Sequence, residues 1–431
     1  MYNQLIKKIS TKKATIAIIG LGYVGLPLAI QFLKKNFKVI GIDNDKKKIN
    51  LLKRSKSYIN HLKVENILKD KKNNFNCTLN MHEINNADII IICLPTPLKK
   101  NFSPEMKFLR KSAYLMKNFL KKGHGIILES TSYPGTTEEI YGPIIKKLKF
   151  KVGKDIFLMY SPEREDPGNK KFNIGNVTKI ISGKTSNCLS IATILYSSIC
   201  KKVYRAPNIQ TAEMTKLYEN IFRSVNIGLV NEMKLVLEKL KICVYDIIKA
   251  AKTKPFGYMP FYPGPGLGGH CIPIDPFIFA WKAKKLGIKT DFIRLSGRIN
   301  GSMPLYIVKK TLDILKKKNN LQKKILILGI SYKKNIDDIR ESPAIKIIKL
   351  FRKYKYKVDY SDPYFKKIPR MRNYNFNLRS KTINKLILTK YAAVILVTDH
   401  DKFNYEMIAK HSKILVDCRG RFKKSNNIFS A

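Results

Sequence analysis

The chain has 431 residues, 44% of them hydrophobic, and a formal charge of +52. That length exceeds what one hydrophobic core serves, and the apolar content excludes a disordered polymer, so two or three globular domains are expected. The surplus charge is lysine spread along the whole chain with no basic stripe interleaved with aromatics, which argues against nucleic acid and for a salt-sensitive attraction of anionic substrates.

Thr15 to Ile19 is a short β-branched run that leads into Gly20-Leu21-Gly22-Tyr23-Val24-Gly25, and a helical pattern follows from Leu26 to about Lys35. A second strand, Lys38 to Ile42, ends at Asp43. A strand, a glycine-rich turn, a helix and a strand within about 30 residues form a dinucleotide-binding unit. Its glycines permit a tight turn and let a pyrophosphate approach the helix N-terminus. Asp43 would accept hydrogen bonds from a ribose diol and repel a 2′-phosphate, so NAD is the expected cofactor rather than NADP.

Further strands are predicted at Ala87 to Cys93, Gly125 to Glu129, Ile156 to Tyr160 and Val177 to Ser182. After the last but one, Ser161-Pro162-Glu163-Arg164-Glu165-Asp166-Pro167-Gly168 crowds carboxylates where α/β sites are built, at a strand's C-terminal end. Between about Asn208 and Ala251 the periodicity is helical. Thr211 to Leu240 reads as one long helix with its apolar residues on one side, a spine and an interface for a homodimer or higher oligomer. Lys216 and Asn220 stand four apart on that helix, so they share a face and could hold a developing oxyanion.

The segment Gly264-Pro265-Gly266-Leu267-Gly268-Gly269-His270-Cys271-Ile272-Pro273-Ile274-Asp275 is a bare, fixed loop ending in a cysteine. Its glycines let a ligand approach the backbone, and Cys271 is a candidate nucleophilic thiol. From Lys324 the alternation restarts, with strands at Ile325 to Leu328, Lys357 to Tyr360, Ala392 to Val397 and Lys413 to Val416, and helices at Ser342 to Tyr354 and before Ala392. This second sheet lacks a complete GxGxxG, so it should bind something other than a second dinucleotide. The predicted fold is therefore α/β: two Rossmann-like, doubly wound parallel-sheet domains joined by a long central helix. The expected divisions are residues 1–205 for NAD, 206–315 for the central helical dimerisation and catalytic region, and 316–431 for a nucleotide sugar.

Seven cysteines are scattered at 77, 93, 188, 200, 243, 271 and 418 with no metal-site spacing, so reduced thiols and no metal are expected. No apolar run approaches the roughly 20 residues that cross a bilayer, and the basic Met1 to Lys13 lacks a signal peptide's apolar core. A cytoplasmic location without membrane insertion is expected.

Taken together, GLGYVG, PTP at Pro95 to Pro97, ESTSYPGTT at Glu129 to Thr137, SPER at Ser161 to Arg164, the Lys216/Asn220 helix, GPGLGGHCIPIDP, and Lys333 with Arg340-Glu341-Ser342-Pro343 resemble the UDP-glucose/GDP-mannose dehydrogenase family over about Ala14 to Gly420. Within it, the run Lys254-Pro255-Phe256-Gly257 to Phe261-Tyr262-Pro263-Gly264-Pro265-Gly266 looks most like the UDP-N-acetylglucosamine 6-dehydrogenases. The resemblance implies oxidation of a sugar C6 alcohol to a carboxylate, consuming two NAD and one water through a thiohemiacetal and a thioester on Cys271. UDP-glucose and UDP-N-acetylmannosamine are the alternative substrates.

By resemblance, Lys216 and Asn220 stabilise oxyanions, Asp275 and Thr131 position water or assist proton transfer, and Glu163 is the base for hydrolysis. Gly20, Gly22, Tyr23, Val24, Gly25, Asp43, Thr96, Thr131 and Arg340 fall at cofactor-contacting positions. Glu163, Lys216, Asn220, Tyr262, Gly268, Lys333 and Arg419 fall at substrate-contacting ones. Where UDP-glucose enzymes carry a second glutamate four residues after the first, this chain has Pro167; Glu165 or Asp166 could substitute. Two rival classes stand beside this reading. A two-electron hydroxyacid dehydrogenase needs no cysteine, and a basic nucleic-acid-binding or scaffold protein would not reduce NAD.

Overall fold

The computed structural model describes residues 1–59, 62, 64–99, 101–164, 175–369 and 374–431; Glu165, Asp166 and Pro167 lie outside them. The chain forms two compact units, Met1–Glu219 and Asn220–Ala431.

In the first unit, β1 (Thr15–Ile19), β2 (Lys38–Ile42), β3 (Phe75–Thr78), β4 (Ile89–Ile92), β5 (Gly125–Leu128), β6 (Phe157–Tyr160), β7 (Lys179–Gly183) and β8 (Val203–Arg205) make one sheet, ordered β3-β2-β1-β4-β5-β6-β7-β8. The first six strands are parallel, in the order of a dinucleotide-binding domain. Strand β4 is four consecutive buried isoleucines, the composition of a central parallel strand covered by helices on both faces. One local departure from an all-parallel sheet is β7, which runs antiparallel to β6 and pairs Tyr160 with Ser182.

The second unit holds β9 (Lys324–Leu328), β10 (Lys357–Ser361), β11 (Ala393–Leu396), β12 (Leu415–Asp417) and β13 (Ile428–Ser430), all parallel and ordered β10-β9-β11-β12-β13. That is the other common doubly wound order. Its apolar centre includes Ile325, Ile327, Phe351 and Ile395. The helix Pro343–Lys353 opens with Ser342 accepting from the Ala344 N–H and with proline in its first turn, both favoured at helix starts.

The helix Ile209–Lys239 spans 31 residues. Its buried positions include Glu213, Lys216, Asn220, Ser224, Asn231 and Lys234, which are polar and recur every three or four residues. Its exposed positions include Tyr218, Phe222, Leu229, Met233 and Val236, which are apolar. The usual amphipathic arrangement is reversed, because a polar face is turned inward. Among the described residues, no helix is long and apolar enough to cross a membrane.

Candidate active site

In the first unit, the candidate residues follow the carboxyl ends of successive parallel strands: Gly20 after β1, Asp43 after β2, Thr96 after β4, Thr131 after β5 and Glu163 after β6. This edge, where the strand order reverses between β1 and β4, is where open α/β sheets bind ligands. Gly20 has φ +93°, and a β-carbon there would sit 2.6 Å from the Cys93 carbonyl oxygen. A β-carbon on Gly25 would collide with the Gly20 carbonyl oxygen. A β-carbon on Gly22 would instead point into open space. The turn is therefore held tight at both ends and bare in the middle, which fits a pyrophosphate resting on the N-terminus of the helix Gly25–Lys34.

Asp43 is buried and accepts from the backbone N–H groups of Leu21 and Asp45 at 2.9 Å each and from Lys48 Nζ at 3.1 Å. Thr96 donates its hydroxyl to the Thr131 carbonyl at 2.7 Å, which ties the β4 and β5 loops together. Lys216 Nζ donates to Thr131 Oγ1 at 2.7 Å, a buried contact. Glu213, one turn earlier, accepts from Gly135 N, Thr137 N and Thr137 Oγ1 and so fixes the helix against the turn that follows Thr131. Burial pushes the Glu213 carboxyl up to about 7 against those three donors.

Glu163 is buried, takes the Arg164 N–H at 2.7 Å, and forms an ion pair with Lys179 Nζ at 2.9 Å. Lys179 also pairs with Glu129 at 3.1 Å. Burial works against the Lys179 charge, but the two carboxylates outweigh it and hold this group above the ordinary lysine range. Neither Glu129 nor Lys179 is among the residues picked out by motif reading. Glu129 lies inside the ESTSYPGTT run without an obvious role. Lys179 is one lysine among many in the sequence and acquires its partners only through the β6–β7 pairing.

In the second unit, Asn220 Nδ2 donates to Asp275 Oδ2 at 2.7 Å, and Asp275 is fully buried as the first residue of the helix Asp275–Lys285. The Asp275 N–H donates to the Cys271 carbonyl at 2.8 Å, and the Cys271 side chain is partly exposed. Gly264 N–H donates to Asn231 Oδ1 at 2.9 Å, so the inward face of the long helix also anchors the loop's start. The loop lies so close to its neighbours that a β-carbon on Gly268 would be 2.6 Å from Tyr332 Cβ and 3.1 Å from Pro343 Cδ. Gly269 N–H donates to the Arg340 carbonyl at 2.9 Å.

Lys333 follows β9 and Arg419 follows β12, both again at carboxyl ends. Arg419 donates Nε to the Val397 carbonyl at 2.7 Å, and its Nη1 lies 3.1 Å from where a Gly264 β-carbon would be. Arg340 is gripped by Asp338 through Nε and Nη2. Tyr262 is 55% exposed, available to a ligand or a partner. Thus Thr96, Thr131, Glu163 and Lys216 share the ligand-binding edge of the first sheet. Asn220, Gly268, Cys271, Asp275 and Arg419 are tied together, directly or through neighbours, in the second unit.

Comparison with known proteins gives three consecutive matches to models of the UDP-glucose/GDP-mannose dehydrogenase family: its NAD binding domain at residues 14–200, its central domain at 210–302 and its UDP binding domain at 326–424. The chain is 38% identical to Protein CapL of Staphylococcus aureus over 80% of this chain and 81% of that one. It is 31% identical to the UDP-N-acetyl-D-glucosamine 6-dehydrogenase of Pseudomonas aeruginosa over 95% and 97% of the two chains. Among solved structures, the UDP-N-acetylmannosamine dehydrogenase of Pyrococcus horikoshii superposes with a TM-score of 0.87 at 30% identity, covering 96% of this chain and 98% of that one.

Proposed function

The chain belongs to the UDP-glucose/GDP-mannose dehydrogenase family as an NAD-dependent oxidoreductase of UDP-sugars, and from that premise we propose that its substrate is a UDP-N-acetylhexosamine, first of all UDP-N-acetylglucosamine. Support for the acetamido sugar comes from relatives named for N-acetylglucosamine and N-acetylmannosamine, and from the Lys254 to Gly266 run. We assign residues 1–205 to NAD, 206–315 to catalysis and dimer formation, and 316–431 to the UDP part of the substrate. We place the reaction in the cytoplasm.

The observation that carries the mechanism is the inward polar face of the long helix, where Lys216 donates to Thr131 and Asn220 donates to Asp275 four residues further on. Bound NAD supplies the acceptor for each of two hydrides. The chain's own groups do the rest. Because Lys216 fills a lone pair of Thr131 Oγ1, the threonine keeps its own O–H to donate to a substrate oxygen. The Cys271 thiolate adds to the C6 aldehyde, forming a carbon–sulfur bond and moving the carbonyl electron pair onto oxygen, where Lys216 and Asn220 donate to it. After the second oxidation, Glu163 takes a proton from water as that water attacks the thioester. The carbon–sulfur bond breaks, the thiolate leaves, and the uronate is released.

Incubation with NAD and a panel of UDP-sugars, with product masses recorded, tests this. Two NADH per sugar and an aminouronate product are expected, with turnover lost in Cys271→Ala. One NADH per sugar with normal Cys271→Ala turnover would reject the thioester route, and activity confined to UDP-glucose would reject the acetamido sugar. The exposed apolar face of Leu229, Met233 and Val236 suits a second copy of this chain. Light scattering should report at least a dimer that Met233→Glu weakens.

A further inference from the structure

Glu163 follows β6 by three residues, and Lys179 opens β7. Continuing the antiparallel register that pairs Tyr160 with Ser182 sets Glu163 opposite Lys179, and the 2.9 Å ion pair is the result. On the far side, the Lys179 ammonium meets Glu129 at 3.1 Å, and Tyr196 donates its hydroxyl to that second carboxylate. All four side chains are buried. The neighbouring cation Arg164 is directed elsewhere. Its guanidinium binds Glu219 at 3.0 and 2.6 Å and the Thr178 carbonyl, and it gives Glu163 its backbone N–H.

We propose that Lys179 is a positioning residue for thioester hydrolysis: it holds the Glu163 carboxylate ionised and aimed, with Glu129 as the fixed counter-charge behind it. The inference rests on the assignment of Glu163 as hydrolytic base. A carboxylate buried without a cation takes up a proton and loses its use as a base. The other titratable groups facing the cluster do not supply that cation. Burial pushes up the Cys93 thiol, the Tyr196 hydroxyl and the Cys200 thiol, the last to about 11, so they stay neutral. Lys216 faces the same cluster but gives its hydrogen to Thr131. Burial raises Glu129, which leaves Lys179 the more fully to Glu163. Because only the hydrolysis uses Glu163, loss of Lys179 should leave both oxidations intact and stall the enzyme afterwards.

The test compares Lys179→Met, Lys179→Arg and wild type, with NAD and the UDP-sugar that wild type turns over. Lys179→Met should release a burst of two NADH per active site and then slow about ten- to a hundredfold. Intact-mass spectrometry should find the enzyme carrying the acyl adduct. The acidic limb of its kcat profile should move to higher pH, since a carboxylate without its cation ionises later. Lys179→Arg should restore most of the turnover and the profile. Should Lys179→Met not fold, the double variant Glu129→Gln/Lys179→Met, which removes one charge of each sign, takes the same measurements. Unchanged turnover and pH profile, or a loss seen in KM alone without adduct, overturns the role of Lys179. Absence of any UDP-sugar oxidation by wild type would instead overturn the activity itself, so the two failures are distinguishable.

Discussion

The first turn of each sheet is built the same way, and only one is left open. After β1, Gly20 adopts φ +93°, donates its N–H to the Ile42 carbonyl, and packs on the Cys93 carbonyl; the next N–H, of Leu21, goes to Asp43. After β9, Gly329 adopts φ +77°, donates to the Ser361 carbonyl, and packs on the Thr398 carbonyl; the next N–H, of Ile330, goes to Asp362 at 2.7 Å. The contrast begins two residues further on. The first turn has Gly22 facing open space and starts its helix at Gly25. The second has Ser331, whose hydroxyl is 3.4 Å from Asp362, and starts its helix only at Pro343.

His400 completes the difference. Fully buried, it packs against Tyr364 and Phe403, accepts the Asn335 N–H on Nδ1, and donates from Nε2 to Asp362 at 3.1 Å. The carboxylate that Asp43 can offer to a ribose is in Asp362 consumed internally. A turn scaffold alone thus does not confer dinucleotide binding. What decides is whether the residues after it leave the helix N-terminus bare. In the second sheet the inserted loop carries Lys333 and Arg340 instead.

The largest way to break the comparison is to close the open turn. Gly25→Val should abolish NAD binding and cost about 3 kcal/mol or more, because the added carbons meet the Gly20 carbonyl and Ile18 Cγ2 at 3.2 Å. Gly22→Ala should leave the melting temperature unchanged while weakening NAD about tenfold. Calorimetric titration and thermal unfolding of both variants check this, and equal effects from the two would show that the open space is not the cofactor's.

Emptying the filled turn should do less. His400→Ala is expected to destabilise by about 3 kcal/mol, from a lost buried ring and a buried Asp362 left short of a donor. NAD affinity should stay at the wild-type value while KM for the UDP-sugar rises, because Asn335 in the Lys333 to Arg340 loop loses its acceptor. A change in NAD affinity would contradict the division of labour between the two turns.

Two buried carboxylates extend the comparison to pH. Burial alone would push both up. For Asp362 the hydrogen bond from His400 outweighs burial and holds it below the ordinary aspartate range. Glu213 has three donors but no cation, and it rises to about 7 from 4.5. A raised folded pKa means the protonated acid is favoured in the fold. Its contribution is complete below about pH 4.5 and is lost as pH climbs through 7. Wild type should therefore lose about 2 kcal/mol relative to Glu213→Gln between pH 5 and pH 8. Parallel pH curves for the two proteins, by urea unfolding, would remove Glu213 as the cause.

Most of this architecture is legible in the chain, and the exceptions share a physical reason. The central strands are continuous β-branched runs and stand out by composition. The strands that sequence reading misses, β3, β8 and β13, are all at sheet edges, where the apolar run is short and the neighbours are half exposed. At the site, Gly20 to Gly25, Asp43, Cys271 and the Lys216/Asn220 spacing are readable because local geometry dictates those residue types. Glu129, Lys179 and Asn231 are not, since their partners come from strands or loops 50, 16 and 33 residues away. The long helix is legible as a helix, but its polar inward face is visible only once burial is known.

The smallest change sharpens the comparison most, because it alters one atom of the open turn. In Asp43→Asn the remaining side-chain oxygen can still accept the Leu21 N–H, so the fold should be kept, with stability within about 1 kcal/mol of wild type. The lost charge weakens the acceptor for a ribose diol, and NAD affinity should fall about tenfold, near 1.4 kcal/mol. Lys48, now 3.1 Å from the carboxylate, is left without its counter-charge and becomes a partner for a 2′-phosphate. NADP, poorly used by wild type, should therefore gain in relative kcat/KM while NAD loses. An NAD to NADP preference that does not move in this variant would mean that Asp43 serves the turn's own N–H groups, as Asp362 serves its turn, and never reads the ribose.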